Sequence, residues 1–182
     1  RAGTEAPLLY LLDESFEGTF PPSGWEVVNP DAGRTWAKST AGNSSARMNF
    51  YDYDPNAGQV DSLLSPIVLG LLSSDSLSFD YAYCGFPYST VGPDTVEVFL
   101  STDGGATFPH LITVLSVADS TAPTNVNGWS PSSSEWGSRI YPLPPGSVGG
   151  SVRLAFIAHN HFAQNFYLDN IRLGTRAVHD VA

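Results

Sequence analysis

The stretch "LSFDYAY", Leu77–Tyr83, decides the fold. Side chains of an extended chain alternate between two faces, so Leu77, Phe79, Tyr81 and Tyr83 share one side and Ser78, Asp80 and Ala82 the other. That is a half-buried β-strand. Reading outward in both directions, the same period of two recurs in "APLLYLLDESFEG", "GWEVVN", "TWAKS", "ARMNFYDY", "VDSLLSPIVL", "DTVEVFLST", "HLITVLSV", "VRLAFIAH" and "FYLDNIRLG", and one further strand falls near Ser138–Pro142. Turn signals separate them: Pro30 to Gly33, the polar loop Ala41 to Ser45, and Pro55 to Gly58. No 3.6-residue stripe competes. Seventeen Gly and fourteen Pro fit a turn-rich chain. The reading is therefore all-β, a two-sheet antiparallel sandwich with jelly-roll connections. Ala118 to Gly150, rich in Ser, Pro and Asn, is a long surface excursion anchored by Trp129 and Trp136. A chain of 182 residues suits one domain, placed at 1–174, with 175–182 as a C-terminal linker.

Eight Lys plus Arg against eighteen Asp plus Glu leave a formal charge of −10. Such a chain repels a phosphate backbone, so nucleic acid is excluded as a partner, and it favours divalent cations. Cys84 is the single cysteine, so no intrachain disulfide forms. With no basic neighbour to lower its thiol pKa, it reads as a quiet packing residue. No apolar run approaches the ~20 residues of a membrane helix, and no membrane insertion is expected. The chain starts at Arg1 without a signal-peptide pattern, which is expected of a module excised from a larger precursor.

The last strand holds a puzzle. Strict alternation in "FYLDNIRLG" puts Tyr167, Asp169, Ile171 and Leu173 on one side, and a carboxylate inside an apolar stripe is costly to bury unless something compensates it. Chain ends are often neighbours, so Glu17 in "DESFEG" can approach Asp169. Two close carboxylates cannot both stay ionised without a cation. Ca²⁺, which takes several oxygens, resolves the conflict, with Asn43, Ser45, Asp52 or Asp54, and Asp61 as further candidate ligands. Backbone N–H groups, Arg172 or Arg153 compensate Asp169 equally well on this reading.

"STDGGATF", Ser101–Phe108, fits S-x-D-x-G-x-T-[WF], the pattern of the Asp-box turn. Asp103 accepts backbone N–H groups across the turn, the glycines permit positive φ, and Phe108 tucks beneath. This is hairpin structure without a catalytic role. His159 and His161 share a strand face but lack a third ligand, so zinc is not supported. No G-x-S-x-G elbow is present, and a glycosidase dyad has no positive support. Two loops, "YCGFPYSTVGPD" and "HNHFAQNF", carry Phe86, Tyr88, His161 and Phe162, rim residues suited to contacting a ligand.

Taken in order, "ESFEG", "FPPSGWEVVN", "TWAKS", "SARMNF", "VDSLLSPIV", "LSFDYAY", "DTVEVFLSTDGGATF", "VRLAFIA" and "FYLDNIRLG" resemble the cleaved-adhesin modules, also called choice-of-anchor J domains. The resemblance spans roughly Leu11 to Gly174. A more distant one is to MAM domains, whose opening F-E and closing L-D-x-I match Phe16-Glu17 and Leu168 to Ile171, although the single cysteine departs from their disulfides. The resemblance implies a galactose-binding-like jelly roll with structural Ca²⁺ held in part by the opening Glu17 and closing Asp169. It implies a secreted or surface module of a larger Gram-negative bacterial protein, non-catalytic itself, that binds a host or environmental protein or a glycan. The alternative is a carbohydrate-binding module appended to a secreted hydrolase or protease.

Overall fold

The computed structural model describes residues 9–53, 58–88 and 92–175. Its strands are β1 (Leu9–Glu14), β2 (Glu26–Val28), β3 (Trp36–Ser39), β4 (Ser45–Met48), β5 (Val60–Leu64), β6 (Ser76–Ala82), β7 (Thr95–Ser101), β8 (His110–Leu115), β9 (Gly137–Pro142), β10 (Arg153–His159) and β11 (Phe166–Thr175). A single 3₁₀ turn at Val117–Asp119 interrupts the all-β pattern among the described residues. No helix there is long and apolar enough to cross a membrane.

Two antiparallel sheets form the jelly-roll sandwich. One runs β3-β4-β11-β6-β9, with β1 also on β11, and the other runs β2-β5-β10-β7-β8. Strand β11 is the hub of the first sheet: its first half pairs with β4 and its second half with β1, both on one edge, while β6 covers the other. The first and last strands are thus direct partners, as the approach of Glu17 to Asp169 requires.

Between the sheets lies the main core. The alternation of "LSFDYAY" is realised: Leu77, Phe79 and Tyr81 are buried in it, with Phe79 stacked on Tyr141 and edge-on to Phe156, and Tyr81 stacked on Phe166. A second cluster forms on the outer face of the six-stranded sheet. Trp129, Tyr167, Ala82, Cys84 and Ala41 are buried there, with Trp136 and Ala122 packed against them. The 118–150 excursion makes this cluster by folding back over the sheet, and the Tyr167 hydroxyl donates to the Trp129 carbonyl at 2.7 Å.

Strict alternation fails in β11. Its register against β6 shifts between Asp169 and Arg172, because two residues, Asn170 and Ile171, sit opposite the single Phe79, and Asn170 adopts φ 48. This is a β-bulge. Before it, Phe166 and Leu168 face the core; after it, Ile171 and Leu173 do. Tyr167 and Asp169 therefore point outward, opposite to Ile171 and Leu173, and the single-face reading of those four residues is corrected. Thr175, the last described residue, is part of β11 and pairs with Leu9. The rest of the expected linker, 176–182, lies outside the described residues.

Candidate functional site

The bulge aims Asp169 into a defined place. In the antiparallel ladder it stands directly opposite Asp80, so two carboxylates meet across one rung of the outer face. Like charges in that position repel. Asp80 is held by the Ser138 hydroxyl and by the Asn170 amide at 2.9 Å. Asp169 is only 7% exposed, and its bond is to the backbone N–H of Asn170 at 2.7 Å. Neither arginine fills the gap: Arg172 pairs with Asp13 and Arg153 with Glu26, each at 2.9 Å. Burial pushes Asp169 up to about 7, and the charges of Asp80 and then Glu17 add to the rise.

Around this pair lies a cavity of about 390 Å³ lined by Gly42, Asn43, Asp80, Ser133, Trp136, Asp169 and Asn170. Asn43 comes from the β3–β4 turn, at φ 85 beside Gly42 at φ 68. A side chain on Gly42 would collide with the Trp136 indole, 2.9 Å from its Cβ position. That close approach seats the turn over the pair. Ser45, next along β4, is wholly buried, and its hydroxyl has no hydrogen-bond partner. Ala46 faces Leu168 in register, so Ser45 falls on the same outer side as Asp169.

Four of the sequence candidates, Asp169, Asn43, Ser45 and Glu17, are on or near this site. Glu17 is exposed, and Lys38 donates to its carbonyl at 2.7 Å and to that of Gly18 at 2.6 Å. Two others are elsewhere. Asp61 lies on β5 in the opposite sheet, on the same face as Leu63, and its carboxylate meets the Tyr53 hydroxyl at 2.9 Å. Asp52 closes a local turn with Asn49, which donates to it at 3.0 Å. Sequence gave them no better address than "acidic and in a polar stretch". Asp54 lies outside the described residues. Asp80 went unread as a ligand because it looked like an ordinary solvent-side residue of β6. Among the described residues no three His, Cys, Asp or Glu side chains gather to hold a metal. A cation at Asp169 would therefore rest on two carboxylates and on neutral oxygens, among them the unpartnered Ser45 hydroxyl and the Asn43 amide, a donor chemistry that suits Ca²⁺.

On the rim, Tyr51, Phe86 and Tyr88 form an edge-to-face ladder with centroids 5.9 and 5.8 Å apart. Tyr88 at its end is 70% exposed. His161 and Phe162 lie on the neighbouring loop. Buried Asp94 holds that loop by accepting the backbone N–H groups of His161 at 2.6 Å and Ala163 at 3.0 Å. Burial pushes the Asp94 carboxyl up to about 7 against these donors. Gln164, also wholly buried, donates to the Asn125 and Asn127 carbonyls and accepts from Trp129. The rim loops and the long excursion are thus tied by buried amides, which nothing in the sequence distinguished from ordinary loop polarity. Phe162 is half-buried at φ 55 and is not part of the ladder. His159 sits 3.2 Å from Glu97 across the five-stranded sheet.

No family model matches this chain, and no curated protein matches it. Solved structures do share its fold. The K1 cleaved adhesin domain of Lys-gingipain from Porphyromonas gingivalis superposes with a TM-score of 0.61 at 17% identity, covering 90% of this chain and 97% of that one. The K3 domain of the same protein gives 0.61 at 16%, covering 92% and 100%. The CBM22-1 xylan-binding domain from Paenibacillus barcinonensis Xyn10C gives 0.52 at 12%, covering 97% and 99%. The chain has the jelly-roll fold of cleaved-adhesin and carbohydrate-binding domains.

Proposed function

We propose that this chain is a non-catalytic binding module, an adhesion domain of a larger secreted or surface bacterial protein, that engages a protein or glycan through the rim and is stabilised by calcium at Asp169. The observation that carries the binding reading is the ladder Tyr51, Phe86 and Tyr88, in which two half-buried rings back an exposed one, on a rim whose neighbouring loops Asp94 and Gln164 hold in place. Rings presented on a rigid frame lose little entropy on contact, so they suit stacking on a sugar face or docking on a protein. Support for a secreted or surface setting comes from the fold shared with the Lys-gingipain adhesin domains.

The glycan reading draws on the fold shared with a xylan-binding domain and makes the chain a carbohydrate-binding module beside a hydrolase. A glycan array and a surface-protein binding assay, run with the native chain and with Phe86→Ala/Tyr88→Ala, test both. Loss of a signal at unchanged melting temperature supports the rim. A signal that survives the double substitution removes the ladder as the contact surface.

Calcium enters this reading as a stabiliser of the bulge. Asp169, Asp80, Asn43 and Ser45 would hold it, joining β11, β6 and the β3–β4 turn, while Glu17 adds charge from the β1 side.

A further inference from the structure

The two sheets differ in what covers their outer faces. The 118–150 excursion folds over the six-stranded sheet and buries Trp129 and Tyr167 there. The five-stranded sheet has no such cover among the described residues, and its outward Val28, Leu111 and Val114 are 36%, 51% and 40% exposed.

The outward set follows from the inward one. Leu63, Val96, Val98, Leu154, Phe156 and Ala158 belong to the core, so the residues that alternate with them point out. Register arranges these in rows across all five strands. One row reads Glu26, Leu64, Ala155, Phe99, Leu111. The next reads Val28, Ser62, Ile157, Glu97, Val114. The rows complement one another in size: the first has a small centre, Ala155, only 1% exposed between bulky Leu64 and Phe99, and the second has a bulky centre, Ile157, beside small Ser62.

The face is also balanced in charge. Arg153, just before the first row, pairs with Glu26 at 2.9 Å, and His159, just beyond the second, lies 3.2 Å from Glu97. Each acid on this face therefore stands beside a base, although the chain as a whole carries a formal −10. Here a second, equally acidic copy can approach an apolar surface without meeting an unmatched carboxylate.

We propose that this face is a homodimer interface, in which the five-stranded sheets of two copies stack with strands antiparallel about a two-fold axis lying between the two rows. The axis exchanges the rows, so Ile157 of each copy sits over Ala155 of the other, Leu64 over Ser62, and Leu111 over Val114. Every contact occurs twice, as a two-fold interface requires. Sheets joined by such a layer lie about 10 Å apart, the packing that already forms the core. Five strands about 4.8 Å apart, over about 20 Å of strand, cover about 500 Å² per copy, and the total of about 1,000 Å² reaches the lower bound of a specific interface. The inference stands apart from the aromatic ladder and from Asp169, none of whose residues lie on this face. Antiparallel stacking turns the two rims in opposite directions, which suits a dimer to bridging two surfaces.

Sedimentation velocity of the full chain from about 1 to about 300 μM tests the proposal, and a reversible doubling of mass with concentration is expected. Leu111→Glu and Val114→Lys each put a charge into the interface at a position that solvent reaches in the single chain. Each should weaken association about tenfold or more while leaving the melting temperature at about 1 μM unchanged. The geometry makes a sharper demand. Leu111 of one copy lies over Val114 of the other, so an equimolar mixture of the two variants sets the introduced carboxylate against the introduced ammonium and should regain the association that neither shows alone. A chain that stays monomeric throughout this range overturns the dimer and leaves the face to a different partner. Variants that associate like the native chain also overturn it, and so does a mixture that associates no better than its components.

Discussion

Asp103, in the turn after β7, and Asp169, within β11, are both aspartates of an acidic chain, and the structure treats them in opposite ways. Asp103 sits in the exposed Asp-box turn. It accepts the Thr107 N–H at 2.9 Å, the Thr107 hydroxyl at 2.7 Å and the Ser101 hydroxyl at 2.6 Å, and these bonds hold its carboxyl well below the usual carboxylate range. Asp169 sits on a bulge under the folded-back excursion, faces Asp80, and is raised by burial. One carboxylate is satisfied by residues within four positions of itself. The other depends on something brought from a distance. Local satisfaction makes a turn; distant dissatisfaction marks a site.

The largest expected effect separates the two at once. If calcium binds the folded state with a dissociation constant near ~10 μM, then ~2 mM calcium adds about 3 kcal/mol, or roughly 6–12 °C in melting temperature for a domain of this size. Chelation should remove that increment. Asp169→Asn should lower the melting temperature in calcium and reduce the response to chelator, whereas Asp103→Asn should leave the chelator response unaltered. Equal chelator responses in both variants would break the comparison.

The pH dependence of the chelated protein should be opposite at the two positions. Asp169 has a folded pKa raised from 3.8 to about 7, so its contribution is fully present below about 4 and is lost as pH rises through about 7. Asp103 is depressed, so its contribution is present above about 4 and is lost only in strong acid. Melting curves of the chelated chain between pH 8 and 5 should rise toward acid, and Asp169→Asn should flatten part of that rise. Asp94 and Asp61, raised by burial in the same direction, contribute to the rest. A slope unaffected by Asp169→Asn would deny its raised pKa.

A smaller effect belongs to the turn alone. Asp103→Ala removes bonds that close a surface hairpin, and a drop of a few degrees, the same with and without calcium, is expected from differential scanning fluorimetry. The smallest concerns Cys84, which is wholly buried, its thiol pushed up to about 11 by desolvation and then by the charge of Glu135. Cys84→Ser should leave ligand binding unchanged in the surface-binding assay. Loss of binding at constant melting temperature would give the thiol a role it lacks here.

The strands were legible because each is a short run with period two between Gly, Pro or Asn turns, and "LSFDYAY" and "DTVEVFLST" fold as read. The Asp-box was legible for a similar reason: the bonds to its carboxylate lie within Ser101 to Thr107, although its backbone also pairs with Ser151. Asp169 was legible only as an anomaly. Its neighbours come from two other segments, Asp80 from β6 and Asn43 with Ser45 from the β3–β4 turn and start of β4, and no spacing links either segment to Asp169 in sequence. The bulge hid as well, because an extra residue at Asn170 leaves the strand's composition unchanged while reversing which side chains face the core. Asp52 and Asp61 were named for their charge, and charge alone does not say which sheet a residue belongs to. The same limit concealed Asp94 and Gln164, whose partners are backbone groups of distant loops.

The central claim is that Asp169, turned outward by the bulge against Asp80, is compensated by a bound cation. A crystal structure grown in calcium, with anomalous data, tests it most directly. The account predicts an ion within about 2.3–2.6 Å of an Asp169 oxygen, with further oxygens from Asp80, Asn43 or Ser45 around it. A structure in which Asp169 and Asp80 share a proton, with no ion between them, would contradict it.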